Sequence, residues 1–318
     1  MRGQARGVEI THPRASELNK ADVGSVGEYA SRRRRRRIVA QLVTLGPATL
    51  LIGIALIVPL VLMFAYSVWK YVPGQITDYS LTLDNYGRLF MSSFYLSVLL
   101  GTVEIGLGVT VVCLLMAYPV ALYLARTTSP IKGLLSYLLL APLMVGIVVR
   151  AYGWMIILGR NGLVNAALIW VGVSHQPLQL LYTRTAVIVG LVEILLPFAT
   201  VPLISSIEDI DRHIEEAARV LGATKLQTFR RVTLPLSWPG MMSASLLVFS
   251  LSITAYALPA LLGGGKVQVV SGLAYDEMLV AFNYPFGSAI GMLLVVLATA
   301  MVFFYLRLSR MERGQVRA

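Results

Sequence analysis

Three stretches of this chain hold no Asp, Glu, Lys or Arg at all: between Arg37 and Lys70, between Arg231 and Lys266, and between Glu277 and Arg307. A helix needs about 20 apolar residues to cross the hydrocarbon of a bilayer, and each stretch is long enough. The same criterion along the whole chain predicts six spans, at 44–68, 94–122, 134–158, 185–206, 239–262 and 288–306. The apolar runs are continuous rather than alternating, which excludes a membrane barrel and leaves a helical bundle as the way to satisfy backbone polar groups in lipid. Composition agrees, since 57% of the 318 residues are apolar and only 14% are charged. A water-facing globule carries roughly 25% charged residues. The mean hydropathy of +0.73 is that of a protein whose main solvent is lipid.

The net charge of +11 would suit a nucleic-acid binder, but its distribution points elsewhere. With the run Arg32–Arg37 placed in the cytoplasm, six spans return both termini to that side. Then 21 basic residues fall inside and 5 outside, and Arg150 lies within a span. That asymmetry is a topology signal, and no nucleic-acid partner is implied. The expected organisation is a disordered basic cytoplasmic tail and anchor at 1–37, a transmembrane domain at 38–306 and a cytoplasmic tail at 307–318. Membrane lipid is the expected surrounding. Pro119, Pro142, Pro197, Pro202 and Pro259 lie in or near span interiors, where proline kinks a helix and frees carbonyls. Close helix contacts are expected at Gly101, Gly106 and Gly108, and at Gly287 with Gly291 in GxxxG spacing.

Catalytic and cofactor arrangements are not found in the sequence. His12, His175 and His213 form no metal-ligand spacing, and Cys113 is the lone cysteine, so neither a metal nor a disulfide framework is expected. No GxxxxGK[ST] occurs: Gly263 to Lys266 is followed by Val267 and lacks the first glycine. The chain is therefore expected to be no enzyme, to bind no cofactor and to hydrolyse no nucleotide itself.

The segment 207–238, between spans four and five, is the longest inside loop and is unlike a passive linker. Ile214, Ala217, Ala218 and Leu221 recur at helical spacing and predict an amphipathic helix. Asp211 is placed to cap it, Glu215 and Glu216 favour its N-terminal dipole, and Gly222 stops it. Thr224 with Gln227 has capping-box spacing for a second helix, which offers Leu226 and Phe229 on one side and is expected to end at Pro235 and Pro239. The apolar stripe has two uses, packing on its own bundle or entering a groove on another protein, and the pattern leaves both open.

The run Glu216-Ala217-Ala218, three residues, Gly222, nine residues and then Val232-Thr233-Leu234-Pro235 resembles the EAA loop of permease subunits of ABC importers. Val232 in place of the usual Ile is the departure. The likeness extends from about residue 90 to 306, where VRAYGWMIILGRNGLVN, LLPFATVPLISSIEDID, LPALLGGGKVQVVSGLAYDEML and YPFGSAIG are similar to spermidine/putrescine-type permeases. The resemblance implies a multi-pass protein of the bacterial cytoplasmic (inner) membrane. Its partners would be a cytoplasmic ATPase dimer that carries ATP and Mg, a second permease subunit of a different chain, and an extracytoplasmic solute-binding protein. It also implies that the loop is a coupling-helix pair seated on the ATPase, with Glu215, Glu216, Ala217, Ala218, Leu221, Gly222, Leu226 and Phe229 at the contact. Polyamine-type permeases often carry an acid before the proline of span five, and ITAYALPALLGG has none. The implied cargo is a small organic solute, a polyamine or a related compound. A self-contained gradient-driven carrier is the alternative.

Three ionisable residues lie within spans, at similar depth: Glu104, Arg150 and Glu193. Charge at that depth needs a partner or water. Arg150 is expected to pair with Glu104 or Glu193, leaving one surplus carboxylate to face an aqueous pathway and attract a cation. Tyr152, Trp154 and Tyr256 are candidates to line the same route.

Overall fold

The computed structural model describes residues 46–72 and 78–315. The tail at 1–37 and its arginine run lie outside the described residues. Internal packing divides the chain into two units, 1–62 and 63–318. The described part of the first is residues 46–62, the larger part of α1 (Gly46–Ser67), on which Leu50, Leu51, Leu56 and Ile57 are exposed.

The second unit takes in the last residues of α1 and then a short antiparallel hairpin, β1 (Trp69–Lys70) and β2 (Asp78–Leu81), which the apolar periodicity did not signal. Asn85, buried at the start of α2 (Asp84–Met91), donates to the carbonyls of Ser67 and Trp69 and ties this hairpin down. α3 (Ser93–Arg126) follows with 34 residues. At 1.5 Å per residue it is about 50 Å long, well beyond the roughly 30 Å hydrocarbon layer.

The expected third span is not one helix. α4 (Ile131–Leu140) runs into a 3-10 turn at Ala141–Met144, and the chain then bends by 98° into α5 (Ile147–Leu158) and α6 (Leu163–Trp170). Pro142 tightens the turn and Gly146 opens α5, so an unbroken apolar run conceals a change of direction. The fourth span is α7 (Arg184–Glu208), which carries Pro197 and Pro202 inside a continuous helix, as α3 carries Pro119. The short α8 (Arg212–Val220), α9 (Lys225–Thr228), a π turn (Phe229–Thr233) and α10 (Leu234–Leu236) make up the loop that follows.

A 62° bend at Ser237 leads into α11 (Trp238–Thr254), and a second break at Ala255 and Tyr256 leads into α12 (Ala257–Gly263). α13 (Val270–Tyr275), a π turn (Asp276–Val280) and α14 (Tyr284–Gln315) complete the chain. With each bent pair counted as one crossing, the described helices supply six spans, and the fold is an all-α membrane bundle.

The core is built by α3, α7, α11 and α12, with Val109, Cys113, Val187, Leu203, Val248 and Leu258 among its fully buried side chains. Small residues bring these helices together. A Cβ on Gly106 would lie 2.8 Å from Ile253, and one on Gly240 would strike Ser206. Lipid tails give no hydrophobic drive for helix association, so close van der Waals contact of this kind is what holds the spans.

Candidate coupling foot and intramembrane charges

The foot forms as its sequence dictates. The Asp211 side chain accepts from the His213 backbone N–H and starts α8. At the other end Gly222 has φ +90°, its N–H reaches the Arg219 carbonyl at 2.9 Å, and the Ala223 N–H reaches that of Ala218 at 3.1 Å. This is a Schellman ending, which requires a left-handed residue and so favours glycine. The next helix opens on a complete capping box, with the Gln227 N–H donating to Thr224 Oγ1 and the Thr224 N–H donating to Gln227 Oε1. It does not stop at Pro235. The π turn absorbs one extra residue, Pro235 then falls in a first turn where its missing N–H is harmless, and the helix continues to the bend at Ser237.

The foot has two sides. Ile214, Ala217, Val220, Leu221, Gly222 and Leu226 are exposed, Leu221 at 89%. Phe229 instead turns inward and packs edge-to-face on Tyr118 at 5.6 Å between ring centres, while Ala218 is half-buried. The foot's apolar residues are thus split, some packed on the bundle and the others exposed. Neighbouring glutamates divide the same way: the Glu216 side chain is 66% exposed beside His213 (3.5 Å), and that of Glu215 is 13% exposed. Glu215 Oε1 accepts from Arg126 Nη2 at 2.8 Å and from the Thr233 hydroxyl at 2.9 Å.

Within the spans, Arg150 Nη1 lies 3.3 Å from Glu193 Oε1, with side-chain exposures of 12% and 27%. Arg150 Nε and Glu193 Oε2 are buried without partners. Glu104 meets Arg184 at 2.6 Å, and that pair is mostly exposed. Tyr152 is exposed on α5, Trp154 packs against the core from the same helix, and Tyr256 stacks on Tyr275 with ring centres 4.4 Å apart. Among the described residues no cluster of metal-ligating side chains occurs.

A family model described as binding-protein-dependent transport system inner membrane component matches residues 26–313. The chain belongs to this family. The spermidine/putrescine transport system permease protein PotB of Escherichia coli (strain K12) is 40% identical over 235 residues, which is 74% of this chain and 85% of the relative. PotB of Haemophilus influenzae is 36% identical over 260 residues, 82% of this chain and 91% of that one. Among solved structures, a bacterial alginate ABC transporter in complex with alginate pentasaccharide-bound periplasmic protein superposes with a TM-score of 0.72 at 21% identity, covering 89% of this chain and 96% of its own. That likeness concerns the fold. The permease is accordingly a multi-pass inner-membrane subunit of an ABC importer, and a self-contained gradient-driven carrier is not favoured.

Two sequence expectations about this permease are corrected by its geometry. Arg150 takes one of its two expected partners, Glu193, but no surplus carboxylate remains, because Glu104 is held by Arg184. Arg184, counted in the sequence as an outer-loop residue, is the first residue of α7 and 80 positions from Glu104, too far for spacing to reveal the pair. Glu215 shares its motif neighbourhood with Glu216 yet is turned toward the bundle while Glu216 is exposed. Arg126, Tyr118 and Ser237, which hold the foot from within, carry no recognisable pattern in the sequence beyond the topology charge of Arg126, and Thr233 stands at a variable position within the EAA motif.

Proposed function

We propose that this permease translocates a polyamine or a closely related small organic cation, driven by an ATPase dimer on which the foot docks. The observation that carries the reading is the exposed apolar side of the foot, where Ala217, Leu221, Gly222 and Leu226 stand unpartnered beside Glu216 within an EAA motif. Burying a leucine such as Leu221 in a partner's groove contributes about 1.5–3 kcal/mol, enough to make a small surface a firm contact. In this reading the foot and both termini are cytoplasmic, ATP and Mg reside on the ATPase, a second permease of a different chain completes the pathway, and a solute-binding protein delivers cargo from outside. The 40% identity to a spermidine/putrescine permease supports the cargo class.

The pathway assigned here runs past Arg150 and Glu193, with Tyr152, Trp154 and Tyr256 along it. Since Glu104 is taken by Arg184, an ammonium group would compete with Arg150 for Glu193, whose Oε2 has no partner.

The test is reconstitution of the four-component complex in vesicles with binding protein outside and ATP within. Spermidine uptake should require ATP and the binding protein, and Leu221→Asp should abolish both uptake and copurification of the ATPase. Uptake by this chain alone under an ion gradient would overturn the reading.

A further inference from the structure

We infer that Glu215 is a positioning residue that clamps both halves of the foot to the end of α3, so that displacement of the foot moves α3 and α11 as one lever. This rests on the ATPase-docking reading above and assigns Glu215 to transmission instead of contact.

Three elements meet at this carboxylate. Arg126, at the C-terminal end of α3, donates from Nη2 to Glu215 Oε1 (2.8 Å) and from Nη1 to the Ile210 carbonyl just before α8 (3.2 Å). Arg212 of α8 reaches back, with Nη2 at 3.4 Å from the carbonyls of both Ala125 and Arg126. The two arginines thus cross between the same two helix ends, and Arg212 also places positive charge at the last carbonyls of α3, which have no intrahelical donor. Thr233, buried in the π turn, donates its hydroxyl to the same Glu215 oxygen and brings in the second foot helix. Four residues on, Ser237 sits at the bend into α11 with its hydroxyl 2.7 Å from Tyr118 of α3. The carboxylate therefore joins α3, α8 and the segment leading into α11. A π turn inserted in a helix often marks a functional position, and here it contains the residue that closes the clamp.

A merely stabilising pair would lower the amount of folded protein and leave the ratio of solute moved to ATP hydrolysed unchanged. The experiment reads that ratio in the reconstituted complex. Glu215→Arg and Arg126→Glu should each retain the ATPase on copurification while uptake per ATP falls roughly five- to tenfold, the size of an ordinary coupling between sites. The double reversal should return the ratio to within about twofold of the unmutated complex, because residues in contact act non-additively. Should a reversed single variant fail to reach the membrane, Glu215→Gln, which keeps the shape, is read in the same way and should also lower the ratio.

Loss of the ATPase from Glu215→Gln but not from Arg126→Glu would overturn the assignment, since it would make Glu215 a direct contact. An unchanged ratio in the single variants would overturn it too. If the unmutated chain binds no ATPase, the transporter reading fails together with the clamp; if it does and the variants couple normally, the clamp alone fails.

Discussion

Two ion pairs in this protein are made of the same residue types at similar burial, and their surroundings differ. Arg126 and Glu215 have further protein partners, the Ile210 carbonyl for the arginine and the Thr233 hydroxyl for the glutamate, and only Arg126 Nε is left buried without one. Arg150 and Glu193 have a single contact of 3.3 Å, and each keeps a buried polar atom without a partner. A buried pair with spare donors and acceptors is costly in an apolar setting unless water or a solute supplies the missing bonds. The first pair is the more fully bonded of the two and its carboxylate has no spare oxygen among the buried unpartnered atoms, whereas Glu193 Oε2 is left open, as the proposed pathway requires. Their positions differ as well, one at the end of α3 beside the foot and the other at the bend between α4 and α5.

Removing one partner from each pair should separate them most widely. Arg150→Ala leaves Glu193 unpaired among apolar helices, and a loss of about 3–5 kcal/mol is expected for breaking such a pair. Arg126→Ala should cost less, about 1–3 kcal/mol, because Glu215 keeps the Thr233 hydrogen bond. Thermal unfolding of the purified permease in one detergent would measure both, and equal losses would erase the distinction. A gentler change tests function: Glu193→Gln should raise the solute concentration for half-maximal uptake about tenfold, equivalent to losing about 1.4 kcal/mol of a charge-assisted contact. Uptake per ATP should stay constant in that variant. An unchanged half-saturating concentration would make the pair purely structural.

How far these features were legible in the sequence depends on the range of the interaction. Asp211, Gly222 and the Thr224–Gln227 box act within four residues, and the backbone adopts what each dictates. The six apolar runs were legible too, since length and hydropathy are sums along the chain. Direction was not, because an apolar run reads the same whether the helix continues or turns by 98° after Pro142. Partners were legible least of all: Glu104 and Arg184 are 80 residues apart, and Arg126 and Glu215 are 89 apart. On α8, Glu215 and Glu216 point about 100° apart by helical geometry alone. A motif that names one glutamate gives no sign that its neighbour is turned toward the bundle.

The smallest expected effect asks whether the foot is stiff because of its own local folding or because of the clamp. Thr224→Ala removes one side of an exposed capping box and should cost about 1 kcal/mol. The second foot helix would still be fixed by Phe229 against Tyr118 and by Thr233 on Glu215, both beyond the cap and both tied to the bundle. Uptake per ATP in the reconstituted complex should therefore be unaltered while the unfolding temperature drops by a few degrees. A fall in coupling as large as that expected for Glu215→Arg would shift the rigidity from the clamp to the cap. The two ion pairs would then differ in burial chemistry only, and the first turn of the second foot helix would be the part that carries the stroke.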